Sequence, residues 1–170
     1  MRRAIISTLV VIGVVIALAG VELLSGSGSR KLRPAPALPT SVLVPPRLTL
    51  ARLRGKPAVI HFWASWCGPC RKEAPEIERF ARSLHGRANL VGIDYSDGLD
   101  GARSFIRQYG WTFPMLRDPN GVIGDRFRLN GLPTTYILDP RGLITETLIG
   151  PQTASGLQQA LQRGGFLMGR

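Results

Sequence analysis

Cys67 and Cys70 are the only cysteines in the 170 residues, and Gly68 and Pro69 separate them. Two thiols at that spacing can close a structural disulfide, help hold a metal, or exchange a disulfide with another molecule. A structural disulfide this short closes a tiny loop and adds little stability. A zinc site needs three or four ligands. Only His61 and His85 could join the thiols, and His61 falls inside a strand-like run, so no metal site is predicted. Exchange chemistry is left. It needs one thiol favoured as thiolate and a second within reach to resolve the mixed disulfide.

The flanking residues supply both conditions. Ala58-Val59-Ile60-His61-Phe62-Trp63 is short, apolar and β-prone, and reads as a buried strand. Arg71 to Leu84 reads as a helix, with Ile77, Phe80, Ala81 and Leu84 on one stripe. Cys67 then sits at the helix N-terminus, where unpaired N–H groups and the helix dipole favour an anion. It is the expected nucleophile, with a lowered pKa and some exposure. Cys70 lies one turn in, faces back toward Cys67, and is the expected resolving thiol. Gly68 is read as allowing a tight turn, and Pro69 as tolerated in a first helical turn.

Phe62-Trp63-Ala64-Ser65-Trp66-Cys67-Gly68-Pro69-Cys70 resembles the active-site run of the thioredoxin superfamily, and Pro75 matches the proline that kinks its active-site helix. Arg54-Gly55-Lys56-Pro57 and Gly131-Leu132-Pro133-Thr134-Thr135-Tyr136-Ile137-Leu138-Asp139 are similar to the membrane-anchored TlpA/ResA/CcmG branch. The resemblance covers residues 36 to 162. It implies an α/β thioredoxin-like fold, a central mixed β-sheet flanked by helices, with an N-terminal β-hairpin added before the Arg-Gly-Lys-Pro turn. It implies that Pro133 is a cis-proline facing the cysteines, and that the backbone at Leu132 pairs with an extended substrate segment. Trp66 is expected on the exposed rim, in contact with partners, and Trp63 and Trp111 in the core.

Two residues carry open alternatives. His61 stands where thioredoxin has a buried aspartate that helps move the proton of the resolving thiol. A histidine there could do similar work, could raise thiolate content if protonated, or could be a hydrogen-bonded core residue. Asp97 aligns with an acidic residue near the cysteines of the ResA-like branch, where it is linked to proton handling and specificity. It could equally cap the helix that follows.

The rest of the chain positions this site. Arg2-Arg3 precede an apolar run from Ala4 to Leu24, about the length that crosses a bilayer with the N-terminus in the cytoplasm. Residues 1–24 are therefore read as a single-pass anchor, with cleavage after Ala19 the alternative. Both place the remainder in an oxidising, extracytoplasmic space. Residues 25–39 are read as a Gly/Ser/Pro linker, 40–165 as the thioredoxin-like domain and 166–170 as a tail. Ser41–Val44 and Arg47–Leu50 are expected to be the added hairpin. Asn89–Tyr95 is a strand, and Ser96 or Asp97 caps a helix burying Ala102, Phe105, Ile106 and Tyr109. Phe113–Leu116 is a short strand, Gly121–Phe127 a short helix, and Thr134–Leu138 with Leu143–Ile149 an antiparallel pair. Thr153 caps a last helix carrying Leu157 and Leu161.

The net charge is +11, with 22 basic and 11 acidic residues. The charges are scattered and no nucleic-acid motif accompanies them, so nucleic-acid binding is not predicted; the charge suits an anionic membrane surface or acidic partners. The expected activity is thiol–disulfide exchange with protein thiols and disulfides, apocytochrome c among them by resemblance, with no cofactor. Electrons would come from a membrane thiol protein. The Gly-Pro dipeptide matches the reducing end of the known range, which favours a reductase. The competing readings are an oxidase of secreted proteins and a non-catalytic peptide-binding or chaperone module.

Overall fold

A computed structural model describes residues 32–163. Seven strands form one sheet: β1 (Arg33–Pro34), β2 (Ser41–Val44), β3 (Ala58–Trp63), β4 (Asn89–Tyr95), β5 (Met115–Asp118), β6 (Thr134–Leu138) and β7 (Leu143–Ile149). Their spatial order is β1-β7-β6-β3-β4-β5-β2. β3, β4 and β5 run parallel, and β6 runs antiparallel beside β3. All six residues of β3 are buried, as its continuous apolar run requires of a strand covered on both faces.

Five helices complete the described residues: α1 (Leu50–Leu53), α2 (Gly68–Ser83), α3 (Leu99–Tyr109), α4 (Val122–Phe127) and α5 (Ala154–Arg163). Alternation along the strands sorts the core into two layers. Val59 and Trp63 of β3 pack with Ala74, Ile77 and Phe80 of α2, Phe105 of α3 and Leu157 of α5. Ile60 and Phe62 point the other way, against Val91, Ile93, Phe127 and Tyr136. Burying aromatic side chains of this size contributes about 1.5–3 kcal/mol each. Parallel β3 and β4 end together, in register at Trp63 and Asp94, so the loops that follow them meet at one end of the sheet. Ligand and reaction sites of such sheets form at that end.

Several expectations are corrected. The N-terminal hairpin does not form. Ser41–Val44 is a strand, but it pairs antiparallel with β5, and the cis Pro45–Pro46 bond and Thr49 lead instead into α1. Thr49 accepts from the Arg52 amide, so Leu50 begins a helix rather than ending a strand. Ser96 and Asp97 do not cap α3. Its N-cap is Gly98, which makes no side-chain capping bond. Part of the proline-rich stretch is packed rather than free. Arg33–Pro34 pairs with β7, and Ala35 and Leu38 are buried.

The expected anchor at 1–24, the linker as far as residue 31 and the tail at 166–170 lie outside the described residues. Among the described residues, no helix is long and apolar enough to cross a membrane.

Candidate active site

The junction of β3 and α2 builds the centre. Cys67 is the N-cap of α2, in an extended conformation (φ −78°, ψ 109°), and its sulfur accepts a hydrogen bond from the Cys70 amide at 3.1 Å. Its own amide donates to the Ala64 carbonyl at 3.2 Å. Cys67 and Cys70 are joined as a disulfide. The expected exposure of Cys67 is not found in this state. Cys67 is 4% exposed and Cys70 1%, because the bond turns Sγ of Cys67 into the helix end. Access to Cys67 runs through a cleft of about 380 Å³.

That cleft gathers most of the residues the sequence singles out. Trp66, Gly68 and Pro69 line it beside Cys67, and Leu132 and Gly131 line it from across the groove. The Leu132–Pro133 peptide is cis, as the resemblance implies, and Pro133 itself is buried. Trp66 is 56% exposed, on the rim. Tyr95 and Leu129 also line the cleft, and the sequence reading did not single them out. Gly68 is corrected. It lies inside the helix with no left-handed φ and open space where a Cβ would go, so no tight turn requires it. Pro75 lies inside α2, as expected.

His61 is not a wall of the cleft. It is 1% exposed on β3, with Nδ1 2.9 Å from Thr135 Oγ1 and its ring edge-on to Trp111. Its other nitrogen faces Glu73 Oε2 at 3.9 Å. Burial pushes the imidazole down to about 3, so it is neutral near pH 7 and the protonated, thiolate-raising role does not apply there. Glu73 was missed. It lies one turn beyond Cys70 and is 2% exposed. Burial pushes its carboxyl up to about 8, against the opposing hydrogen bond from the Gln152 amide. The signal was present: stepping back four residues from Ile77 along the buried stripe lands on Glu73.

Asp97 reaches the site from the loop after β4. Its carboxylate accepts from the Ser65 amide at 2.5 Å and from the Ser65 hydroxyl at 2.9 Å. Both oxygens are therefore engaged two residues before Cys67. Among the described residues no group of three or more His, Cys, Asp or Glu side chains is placed to hold a metal.

The chain matches known proteins over most of this fold. A model of the AhpC/TSA family matches residues 35–147. The thioredoxin-like protein YneN of Bacillus subtilis is 31% identical over 137 residues, 79% of this chain and 80% of that protein. The thiol:disulfide interchange protein CycY of Rhizobium leguminosarum is 35% identical over 117 residues, 68% of this chain and 62% of CycY. Among solved structures, a secreted Mycobacterium tuberculosis disulfide oxidoreductase homologous to Escherichia coli DsbE superposes with a TM-score of 0.66. It is 26% identical, over 74% of this chain and 95% of that one. With a Cys-Gly-Pro-Cys pair at the N-terminus of α2 on a thioredoxin-like sheet, the chain belongs to the AhpC/TSA family and is a thiol–disulfide oxidoreductase of the CycY and DsbE type.

Proposed function

We propose that the chain is a membrane-tethered reductase of extracytoplasmic protein disulfides, of the kind that prepares apocytochrome c for haem attachment. Residues 1–24 hold it in the membrane with the N-terminus in the cytoplasm, and the domain that carries Cys67 lies outside. The observation that carries the chemistry is the Cys67–Cys70 disulfide, with Cys67 lining the cleft. The apolar run at 4–24 and the secreted M. tuberculosis relative support the location.

In the reducing direction the Cys67 thiolate attacks one sulfur of a substrate disulfide. The substrate S–S bond breaks, a Cys67–substrate bond forms, and the other substrate sulfur leaves and takes a proton. Cys70 then attacks Cys67, the mixed disulfide breaks, and the second substrate thiol is released. Two electrons have passed to the substrate, and the chain is left in the disulfide form seen here. A membrane thiol protein must return those two electrons; no dissolved cofactor takes part. The Cys70 amide, 3.1 Å from Cys67 Sγ, supports the thiolate by donating to it. Leu132, before cis-Pro133, offers its backbone to an extended substrate segment, and Trp66 covers the rim.

The test is the reduction potential of the purified chain, equilibrated against glutathione buffers with Trp66 fluorescence as readout. A value near about −270 mV supports the reductase, and a value near about −120 mV would make it an oxidase. Absence of a reversible two-electron transition would leave peptide binding as the function.

A further inference from the structure

Both aromatic walls of the Cys67 cleft depend on one turn. From the end of β4 at Tyr95 the chain runs through Ser96-Asp97-Gly98 into α3. Tyr95 lines the cleft. The Ser96 carbonyl accepts from Trp66 Nε1 at 3.0 Å, and the Asp97 carboxylate takes both Ser65 donors. Ser96 holds a left-handed φ of 47°, a conformation that costs a non-glycine residue energy unless its surroundings impose it.

The next strand holds the turn in two ways: the Ser96 amide donates to the Asp118 carbonyl at 3.0 Å, and an arginine side chain reaches across. Arg117 of β5 donates Nε to Asp94 Oδ2 at 3.0 Å and Nη2 to the Asp97 carbonyl at 2.7 Å. One guanidinium thus ties the turn to the end of β4. Its carboxylate partner is fully buried, and Asp94 Oδ1 has no hydrogen-bond partner. Burial pushes the Asp94 carboxyl up to about 7 even with Arg117 beside it. Such a pair is a poor way to stabilise a core, since apolar residues of the same size are commonly as good or better. Neighbouring residues are also cut to fit. A Cβ on Gly101 would sit 2.5 Å from Ser65 Oγ, and one on Gly124 would strike the Tyr95 ring.

We propose that Arg117 is a positioning residue for disulfide exchange: by bridging Asp94 and the Asp97 carbonyl it fixes the turn that places Trp66 and Tyr95 around the Cys67 cleft. Cys67 itself is held separately, by the Ala64 carbonyl and the first turn of α2. Losing the bridge therefore weakens capture of a protein disulfide without altering the cysteine pair. The inference rests on the proposed reductase reading, with Cys67 as the exchanging thiol.

The test uses the full chain, insulin as the protein disulfide and dithiothreitol as reductant. Arg117→Lys keeps a cation beside Asp94 but cannot span both acceptors. Arg117→Met with Asp94→Leu removes the buried pair together, so no lone charge is left to unfold the chain. Both are expected to raise KM for insulin about tenfold, equivalent to about 1.4 kcal/mol. The kcat and the reduction potential against glutathione are expected to stay at the wild-type values. Arg163→Met with Glu146→Leu, which removes another ion pair far from the turn, controls for loss of an ion pair and is expected to change none of these. A lowered melting temperature with unchanged KM would make the bridge structural only and overturn the inference. A potential that moved with KM would overturn it too, since the cysteine pair would then be what Arg117 affects. Wild-type chain inactive on insulin would instead bring down the reductase reading and this inference with it.

Discussion

Glu73 Oε2 lies 3.9 Å from His61 Nε2, and neither side chain reaches solvent. The contact has the geometry of an ion pair, but burial works against both charges. It pushes Glu73 up to about 8 and His61 down to about 3. Near pH 7 the proton therefore stays on the carboxyl and the imidazole is neutral. The two polar groups form an uncharged pair, with Glu73 one turn beyond Cys70 in α2.

This pair predicts a pH signature of stability. The folded-state value for Glu73 lies above its ordinary 4.5, so the contribution of Glu73 is fully present below about pH 4.5 and is lost as pH rises toward 8. His61 has the opposite sign. Its folded value lies below the ordinary 6.5, so its contribution is present above 6.5 and is lost as pH falls toward 3. Asp94, pushed up to about 7, adds a decline of the same sign as Glu73. Comparing Glu73→Gln with wild type isolates one group. With the disulfide intact, the variant should gain stability relative to wild type as pH rises from 4.5 to 8, by up to about 1.4 kcal/mol per pH unit. Urea midpoints across that range measure it. A constant difference would mean that Glu73 ionises normally in the fold.

Roles of the two cysteines separate in a trapping experiment. Cys70→Ser leaves Cys67 able to attack but nothing to resolve the adduct. It should accumulate a mixed disulfide with a protein substrate, visible by non-reducing electrophoresis and mass spectrometry, while turnover falls to background. Cys67→Ser should trap nothing, since Cys70 is 1% exposed and does not line the cleft. Trapping through Cys70 instead would reverse the assignment.

Trp66 offers a third test. Its ring is 56% exposed and held to the Ser96 carbonyl by one hydrogen bond. Trp66→Ala should leave the melting temperature close to wild type, as a surface change does. It should raise KM for a protein disulfide several-fold. A large loss of stability with KM unchanged would place the ring in the fold rather than the site.

The parts of this molecule that were legible in the sequence are the ones encoded locally. Ala58–Trp63, Asn89–Tyr95, Thr134–Leu138 and Leu143–Ile149 form strands with the bounds their apolar runs mark, and Cys67 caps the helix its motif announces. What was missed depends on partners far along the chain. Ser41–Val44 looked like half of a hairpin, yet its partner is β5, with Ser41 opposite Arg117. Asp97 was open between a helix cap and a place beside the cysteines, and what decides it is Ser65, 32 residues earlier, which takes its acceptors. Local sequence carries turn and period signals but not the identity of a distant donor. Glu73 was hidden for another reason: a glutamate on a helix is read as solvated unless its place on the buried stripe is followed back to Cys70.

Two glycines make the last prediction. Gly68, read from the motif as allowing a tight turn, has nothing within 4 Å of where a Cβ would go and no left-handed φ. Gly68→Ala should fold normally and gain up to about 1 kcal/mol through the unfolded state. Gly124 stands in a short helix with no motif around it. A Cβ there would overlap the Tyr95 ring, with Cδ2 at 2.8 Å and Leu129 Cδ2 at 3.2 Å. Gly124 is buried on the helix side, so the Tyr95 ring must yield toward the cleft that it lines. Gly124→Ala should cost about 1–3 kcal/mol, as overpacking does, and should push Tyr95 into the cleft and raise KM for a protein disulfide. Denaturation midpoints and KM measured on both variants decide it. Equal tolerance at the two positions would show that Tyr95 is free to swing, and that its placement in the cleft is not fixed by α4.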